Sequence, residues 1–440
     1  MLVVLYLSAM GPLCLSQYLD PGWCTFSLPG VGRCYTYTIS SIDCTCNLNK
    51  QIPIYANFSL RVPSMKETVT LLTNGKLDVL PSKSIIYHSS YPESQLVIED
   101  NYHLYAILPG AFSEVTANSL SITKSEIRGI KSGALAGLSV NKLYLESNKF
   151  AIIGANSFAG IRETTKLISF KNNPLRLIES NAFLHLPKLE KLLLNQNTLA
   201  DGNLTIERGA FNGLAGLKFL DLSFSRLQCA NTLPFHIGPS FEMLYLNGNN
   251  LSLACGADMF ENAGNLKIVD FSGNTLKDMS CIQGLGATPM LEELLMENMQ
   301  FDTSIDTLSS QSLAGFPKLK MLNFEAAKLV SVDLQAFSTM QNVRDIKLGL
   351  TNGAVLSLDV FRPIAQTLGN IGIVFHGNAV TLDPPTTQFT TAARLNIRSL
   401  QNYTNCQSFQ YLASACDTFL GGVVVYCRWD SVYTGRAVCN

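Results

Sequence analysis

The chain is 440 residues long, with a formal net charge of -1, 47% hydrophobic residues and 15% charged residues. The charged fraction lies below the ~25% usual in soluble domains, and the apolar content is too high for a disordered chain. Near-neutral charge supplies no electrostatic footprint for nucleic acid and no basic run for an anionic membrane, so neither partner is expected.

The first seventeen residues, MLVVLYLSAMGPLCLSQ, carry no charged side chain. A stable membrane span takes ~20 apolar residues, so this stretch suits a signal peptide over residues 1–16. Cys14 and Ser16 then place small residues at -3 and -1 of a cut before Gln17. Near the C-terminus the longest apolar tract, Phe419 to Tyr426, is far too short to span a bilayer. The expectation is a secreted, extracellular protein with no membrane anchor. Four N-x-[ST] sequons, at Asn57, Asn203, Asn250 and Asn402, agree with passage through the secretory route and are expected to carry N-glycans.

From residue 96 onward, segments of the form L-x-I-x-x-N or L-x-L-x-x-N recur. Their last position, the marker, falls at Asn101, Ser125, Asn148, Asn173, Asn197, Ser225, Asn249, Asn274, Met299, Ala327, Thr351 and Asn378. The spacing averages about 25 residues, the signature of a solenoid built from one supersecondary unit per copy. Apolar residues at marker minus five and minus three, such as Leu143 and Leu145, alternate with outward ones, as a short half-buried strand requires. One copy cannot bury that face alone, so its neighbours must supply the walls of the core. Pairs such as Ala111-Phe112, Ser157-Phe158, Ala182-Phe183, Ala210-Phe211 and Ala336-Phe337 follow several markers. An Asn at the marker can both donate to and accept from backbone groups as the chain leaves the strand. Met299, Ala327 and Thr351 do this poorly or not at all, which predicts a looser ladder between about residues 295 and 355.

These residues resemble the leucine-rich-repeat family in its extracellular type. The resemblance implies an α/β repeat solenoid: a curved horseshoe with a parallel β-sheet on its concave face and irregular or 3₁₀ segments outside. It covers roughly residues 64–400, about 12–14 copies, between a cysteine-rich N-terminal cap over 17–63 and a cysteine-containing C-terminal cap over 401–440. Cys44-Thr45-Cys46 and Leu60-Arg61-Val62-Pro63 match the family's N-terminal cap. The cysteine expected near Ala56 is absent, and Cys24 can replace it. By this resemblance Cys24, Cys34, Cys44 and Cys46 form disulfides in one cap, and Cys406, Cys416, Cys427 and Cys439 occupy the other, in pairings left open. Neither set contains a C-x-x-C pair, and in a secreted chain oxidation to disulfides is favoured over zinc binding. Cys229, Cys255 and Cys281 sit at marker +4, +6 and +7, which brings Cys255 and Cys281 closest in phase. A Cys255–Cys281 bridge with a free Cys229 is the leading expectation. The alternatives are a Cys229–Cys255 bridge after a one-residue shift, or three reduced, buried thiols.

No enzyme motif accompanies the repeat: H-E-x-x-H, G-x-S-x-G, the phosphate loop and the calcium loop are all missing. His88, His103, His185, His236 and His376 are scattered without metal-ligand spacing, with His376 alone expected on the concave face. Catalysis, cofactors and metals are therefore not expected. The family resemblance implies instead a binding scaffold for an extracellular protein or glycan. Two other readings are a non-catalytic subunit of a secreted enzyme, of the carboxypeptidase-carrier or luciferase-subunit type, and a matrix or innate-immune recognition protein. Strand alternation sends marker minus six, minus four and minus two out of the concave sheet. There, Asp221, Asp270, Glu293, Glu297, Glu325 and Asp345, with Phe219 and Tyr245 as aromatic anchors, form a stretch with no base, suited to a basic partner.

Overall fold

The computed structural model describes residues 78–376 except 90–91, 198–201, 228–237, 250, 254–259, 261–262, 277–287 and 302–306, together with 380–383 and 386. Within 25–72 and 394–438 it describes the course of the strands alone. The chain divides into two compact units, Met1–Arg226 and Leu227–Asn440.

In the first unit the strands Gln95–Glu99, Glu114–Thr123, Ser139–Tyr144, Leu167–Ser169, Lys191–Leu193 and Phe219–Asp221 pair in that order, all parallel. In the second, Met243–Tyr245, Ile268–Asp270, Glu293–Leu295, Met321–Val332, Asp345–Ser357 and Asn370–Phe375 do the same, and Arg394–Ser399 follows in parallel. Each of the twelve strands before Arg394–Ser399 is one rung, and each of those rungs carries one of the twelve markers. The fold is a leucine-rich-repeat solenoid in both units.

Register explains the core. Leu143, Ile168, Leu192 and Leu220 are direct partners across four consecutive rungs, and all are fully buried. Burying each such side chain contributes ~1.5–3 kcal/mol relative to exposure. The apolar residues that follow the markers build a second layer. Phe158 stacks on Phe183 at 5.6 Å between ring centroids, and Phe183 on Phe211 at 6.0 Å. Phe337 stacks on Phe361 at 5.7 Å in the other unit. Gly213, at φ +87°, sits where an added Cβ would lie 2.4 Å from the Leu184 carbonyl oxygen, so the neighbouring rung can approach only a residue with no side chain. Outside the main strands lie two-residue strands, such as Ile152–Ile153, Leu177–Ile178 and Thr205–Ile206, again parallel. The longest helical segment among the described residues is a 3₁₀ helix, Leu358–Ile364, capped by the Ser357 hydroxyl.

Leaving a strand requires a sharp corner, and the residue before the marker makes it. Asp100, Lys124, Ser147, Asn172, Gln196, Phe224, Gly248, Gly273 and Asn298 all adopt positive φ there. That corner turns amide groups away from their strand partners, and the marker side chain takes them up. Asn173 Oδ1 accepts from the backbone N–H of Asn148 (3.1 Å) and of Phe150 (3.3 Å). Its Nδ2 donates to the carbonyls of Leu145 (2.9 Å) and Phe170 (2.8 Å). The same ladder runs from Asn197 to Asn173, and in the second unit from Asn274 to Asn249. Ser225 keeps one arm of it, donating to the Leu194 carbonyl at 2.7 Å.

The looser ladder expected between 295 and 355 is replaced by long strands around Ala327 and Thr351. There the strands do not stop: Met321–Val332 and Asp345–Ser357, at 12 and 13 residues, are the longest among the described residues. They pair from Met321↔Asp345 to Phe324↔Leu348, shift register, and resume at Leu329↔Leu350 and Ser331↔Val355. At Ala327 and Thr351, where the side chain cannot take up the corner amides, backbone pairing is carried around the corner; at Met299 the strand keeps the short form, Glu293–Leu295.

Replacing Asn173 by Ala is therefore expected to cost about 2–4 kcal/mol, because two buried N–H groups lose their acceptor. Ala327→Ser, at a rung already satisfied by backbone, should change stability far less. Thermal unfolding of the two variants separates the two kinds of corner.

Candidate binding face

Alternation along each strand sends the residues one before and one after the buried centre to the inner face of the sheet. In the second unit, register sets Met243, Ile268, Glu293, Met321 and Asp345 in one row and Tyr245, Asp270, Leu295, Asn323 and Lys347 in the next. Asp270 and Glu293 thus stand on adjacent rungs, diagonal to each other, with half-buried Met243, Ile268 and Tyr245 on one side and Leu295 and Met321 on the other.

The expected run of acids without a base does not survive in three dimensions. Lys347, just beyond it in sequence, extends its Nζ to 3.2 Å from Glu297 Oε1 and 3.6 Å from Glu325 Oε2. Asn323 Nδ2 donates to the same Glu297 oxygen at 2.6 Å, and Asn370 Nδ2 donates to Asp345. Three of the six acids are thereby held by neighbouring donors. Asp270 accepts from the Ser272 N–H at 2.9 Å, while Glu293 makes no ion pair among the described residues. Asp270 and Glu293 set two carboxylates on adjacent rungs of this unit's inner face. Nor is every outward position open: Asn323 and Ser169 are 1% and 0% exposed, covered by the longer side chains that they bind.

Phe219 and Asp221 belong to the first unit. Lys191 Nζ lies 4.2 Å from the Phe219 ring centroid, and Asp221 Oδ1 accepts from the Ser223 N–H (2.9 Å) and hydroxyl (2.6 Å). His376 follows the Asn370–Phe375 strand and donates from Nε2 to the Glu325 carbonyl two rungs away at 2.7 Å. It can reach across because Gly349 lies between: a Cβ there would come within 2.8 Å of the imidazole. His88 and His185 meet Thr116 and Asn156 at the surface. Among the described residues, no group of three His, Cys, Asp or Glu is placed to hold a metal. Asn203 is exposed, with Thr205 exposed beside it. Asn57, Asn250 and Asn402 lie outside the described residues, as do the side chains of every cysteine, Cys229, Cys255 and Cys281 among them.

Sequence reading missed two features. Marker minus seven carries Lys166, Glu190 and Lys218 in the first unit and Glu242, Lys267, Glu292 and Lys320 in the second, an alternation of sign along the sheet's flank. Glu190 lies 3.2 Å from Lys166 and 3.0 Å from Lys218; Glu242 meets Lys267 at 3.1 Å. Hydrogen bonding from Lys218, then from Lys166, holds the Glu190 carboxyl below the usual range. Counting at the marker offset would have revealed the alternation. The second feature is Phe224, half-exposed at 49% with φ +50°, in the corner that other rungs fill with small or polar residues. A bulky side chain in the left-handed region is strained, and only the backbone angle reveals it.

The family profile "BspA type Leucine rich repeat region" matches six copies over residues 85–218 and 291–361. CD180 antigen of Mus musculus is 25% identical over 258 residues, 57% of this chain and 38% of that protein. Toll-like receptor 3 of Bos taurus is 28% identical over 227 residues, 49% of this chain and 22% of that protein. Tsukushi of Rattus norvegicus is 25% identical over 298 residues, 62% of this chain and 81% of that protein. The chain thus spans well under half the length of the receptors it matches and most of Tsukushi. Among solved structures, the mouse RP105/MD-1 complex shares the fold at a TM-score of 0.56 and 18% identity, covering 80% of this chain and 58% of that one. The TLR13–ssRNA13 complex does so at 0.56 and 17%, covering 79% and 53%. The chain is a leucine-rich-repeat protein of the extracellular type. No helix among the described residues is long and apolar enough to cross a membrane.

Replacing Phe224 by Asn, the residue that makes the same corner at positions 172 and 298, should stabilise the first unit by about 1 kcal/mol by relieving left-handed strain. A fall in the unfolding midpoint would instead show that the ring contributes packing.

Proposed function

We propose that the protein is a secreted, non-enzymatic scaffold that binds an extracellular protein through the inner face of its second unit. The observation that carries the reading is the row structure there: Asp270 and Glu293 set diagonally in a frame of Met243, Tyr245, Ile268, Leu295 and Met321. Apolar side chains at half exposure supply contact area, and the two carboxylates select the sign of the partner. A basic protein surface with exposed apolar residues fits both. The receptor and matrix names among the relatives favour a recognition role over an auxiliary subunit of an enzyme. Export is supported by the leading segment and by Asn203 and Thr205, both solvent-facing.

Two measurements test this. In the first, native protein and the Asp270→Lys/Glu293→Lys variant serve as baits in extracellular fluid, and retained proteins are identified by mass. The double reversal should slow association about tenfold and flatten its salt dependence without unfolding the solenoid. Lys347→Gln, which uncovers Glu297 and Glu325, should speed association. Unchanged capture by the folded double variant would move the site elsewhere. In the second, expression in secretory cells should give a medium-borne glycoprotein beginning near Gln17, lighter by one glycan after Thr205→Ala. Recovery of an unprocessed, sugar-free chain would contradict export.

A further inference from the structure

Among the described residues of the first unit, Lys124, Lys149, Lys166 and Lys218 have carboxylate partners, while Lys83, Lys131 and Lys188 on the outer surface and Lys142, Lys171 and Lys191 on the inner face have none. Lys166 and Lys218 share Glu190, Lys149 lies 3.8 Å from Glu126, and Lys124 lies 4.0 Å from Glu99 and 3.8 Å from Asp100. Among the described residues, no carboxylate stands at ion-pairing distance from Lys142, Lys171 or Lys191. The acids that could have matched them are turned aside. Glu146, the nearest by register, accepts from the Ser169 hydroxyl at 2.5 Å, and Asp221 is held by Ser223. Glu99 faces Lys124.

We propose that these three lysines form a binding site for a linear sulfated polysaccharide. Lys142, Leu167 and Lys191 are partners in register, so the two lysines lie two rungs apart, ~10 Å along the sheet. Lys171 stands on the rung between them, four residues further along the chain. The floor inside this triangle is Leu167 and Ser169, the first half-buried and the second buried, a shallow surface that suits an extended chain better than a compact molecule. Sulfate groups spaced along such a chain would meet ammonium groups that have no counter-charge to give up. A single-stranded nucleic acid offers similar anions, but its binding sites add aromatic platforms for the bases. Here the Phe219 face is already occupied by Lys191 at 4.2 Å, and Tyr144 is half-buried, its hydroxyl pKa raised by burial and then by Glu146. An acidic protein surface would want an apolar anchor at the centre, and the covered Phe219 does not supply one. The proposal rests on the first unit alone and is independent of the protein-binding reading of the second.

The test is binding of a heparin decasaccharide to the full chain by titration calorimetry, across a salt series centred near ~0.15 M. The Lys142→Gln/Lys171→Gln/Lys191→Gln variant should bind at least about tenfold more weakly. Its slope of log affinity against log salt should fall by about three, one per lysine. Lys171→Gln alone, remote from any ring contact, should lower the slope by about one and guards against a folding defect in the triple variant. Lys83→Gln/Lys131→Gln/Lys188→Gln removes the same charge from exposed positions elsewhere in the unit and should leave affinity and slope unchanged. Four outcomes overturn the proposal: no heparin binding by the native chain; equal losses in both triple variants; equal affinity for desulfated heparin; and tighter binding of polyuridylate than of heparin.

Discussion

A chain that repeatedly leaves one strand to begin another must find partners, at every corner, for amides that have just left the sheet. Buried and unpaired, each would cost about 1–3 kcal/mol, and a solenoid contains a corner per rung. This protein meets the demand in two ways. One is a buried Asn whose single amide serves its own rung and the rung before it, as Asn173 does for Asn148, Phe150, Leu145 and Phe170. The other is to carry strand pairing around the corner, as Met321–Val332 and Asp345–Ser357 do. Core packing, the left-handed residue before each marker and the orientation of the inner face all follow from where these corners fall.

Much of the fold was legible because this demand recurs at a nearly fixed interval. The period, the buried pair at minus five and minus three, and the phenylalanine layer are local patterns repeated about twelve times. What was not legible depends on contacts between rungs. That Ala327 marks a longer strand, where a gap was expected, follows from a backbone register that side-chain identity does not encode. That Lys347 serves Glu297, fifty residues earlier in the chain, depends on where a flexible side chain settles. The composition of the inner face was therefore readable, and its charge was not. The alternating flank lay open in the sequence, at an offset next to the ones counted.

The charges obey a rule that composition hides. With nearly equal numbers of acids and bases overall, what varies is which of them are matched. On the flanks, neighbouring rungs set lysine against glutamate, and such exposed pairs contribute only ~0.2–1 kcal/mol each. Their larger effect is to remove those groups from the surface potential. On the inner faces the matching is partial: among the described residues it leaves Lys142, Lys171 and Lys191 without an ion pair in one unit and Glu293 in the other. Net charge near zero is therefore compatible with two faces of definite sign.

The alternating flank also bears on how such a chain can grow or shrink. A rung of the Asn type is interchangeable with its neighbours in core and corner alike, so duplicating one would leave the interior intact. In the rungs marked by Asn173, Asn197, Asn249 and Asn274 it would nevertheless set lysine beside lysine, or glutamate beside glutamate, along the edge. Copying two adjacent rungs together keeps the signs in step. Where the flank alternates, from Lys166 to Lys320, the smallest gain or loss of length that leaves this surface undisturbed is a pair of repeats.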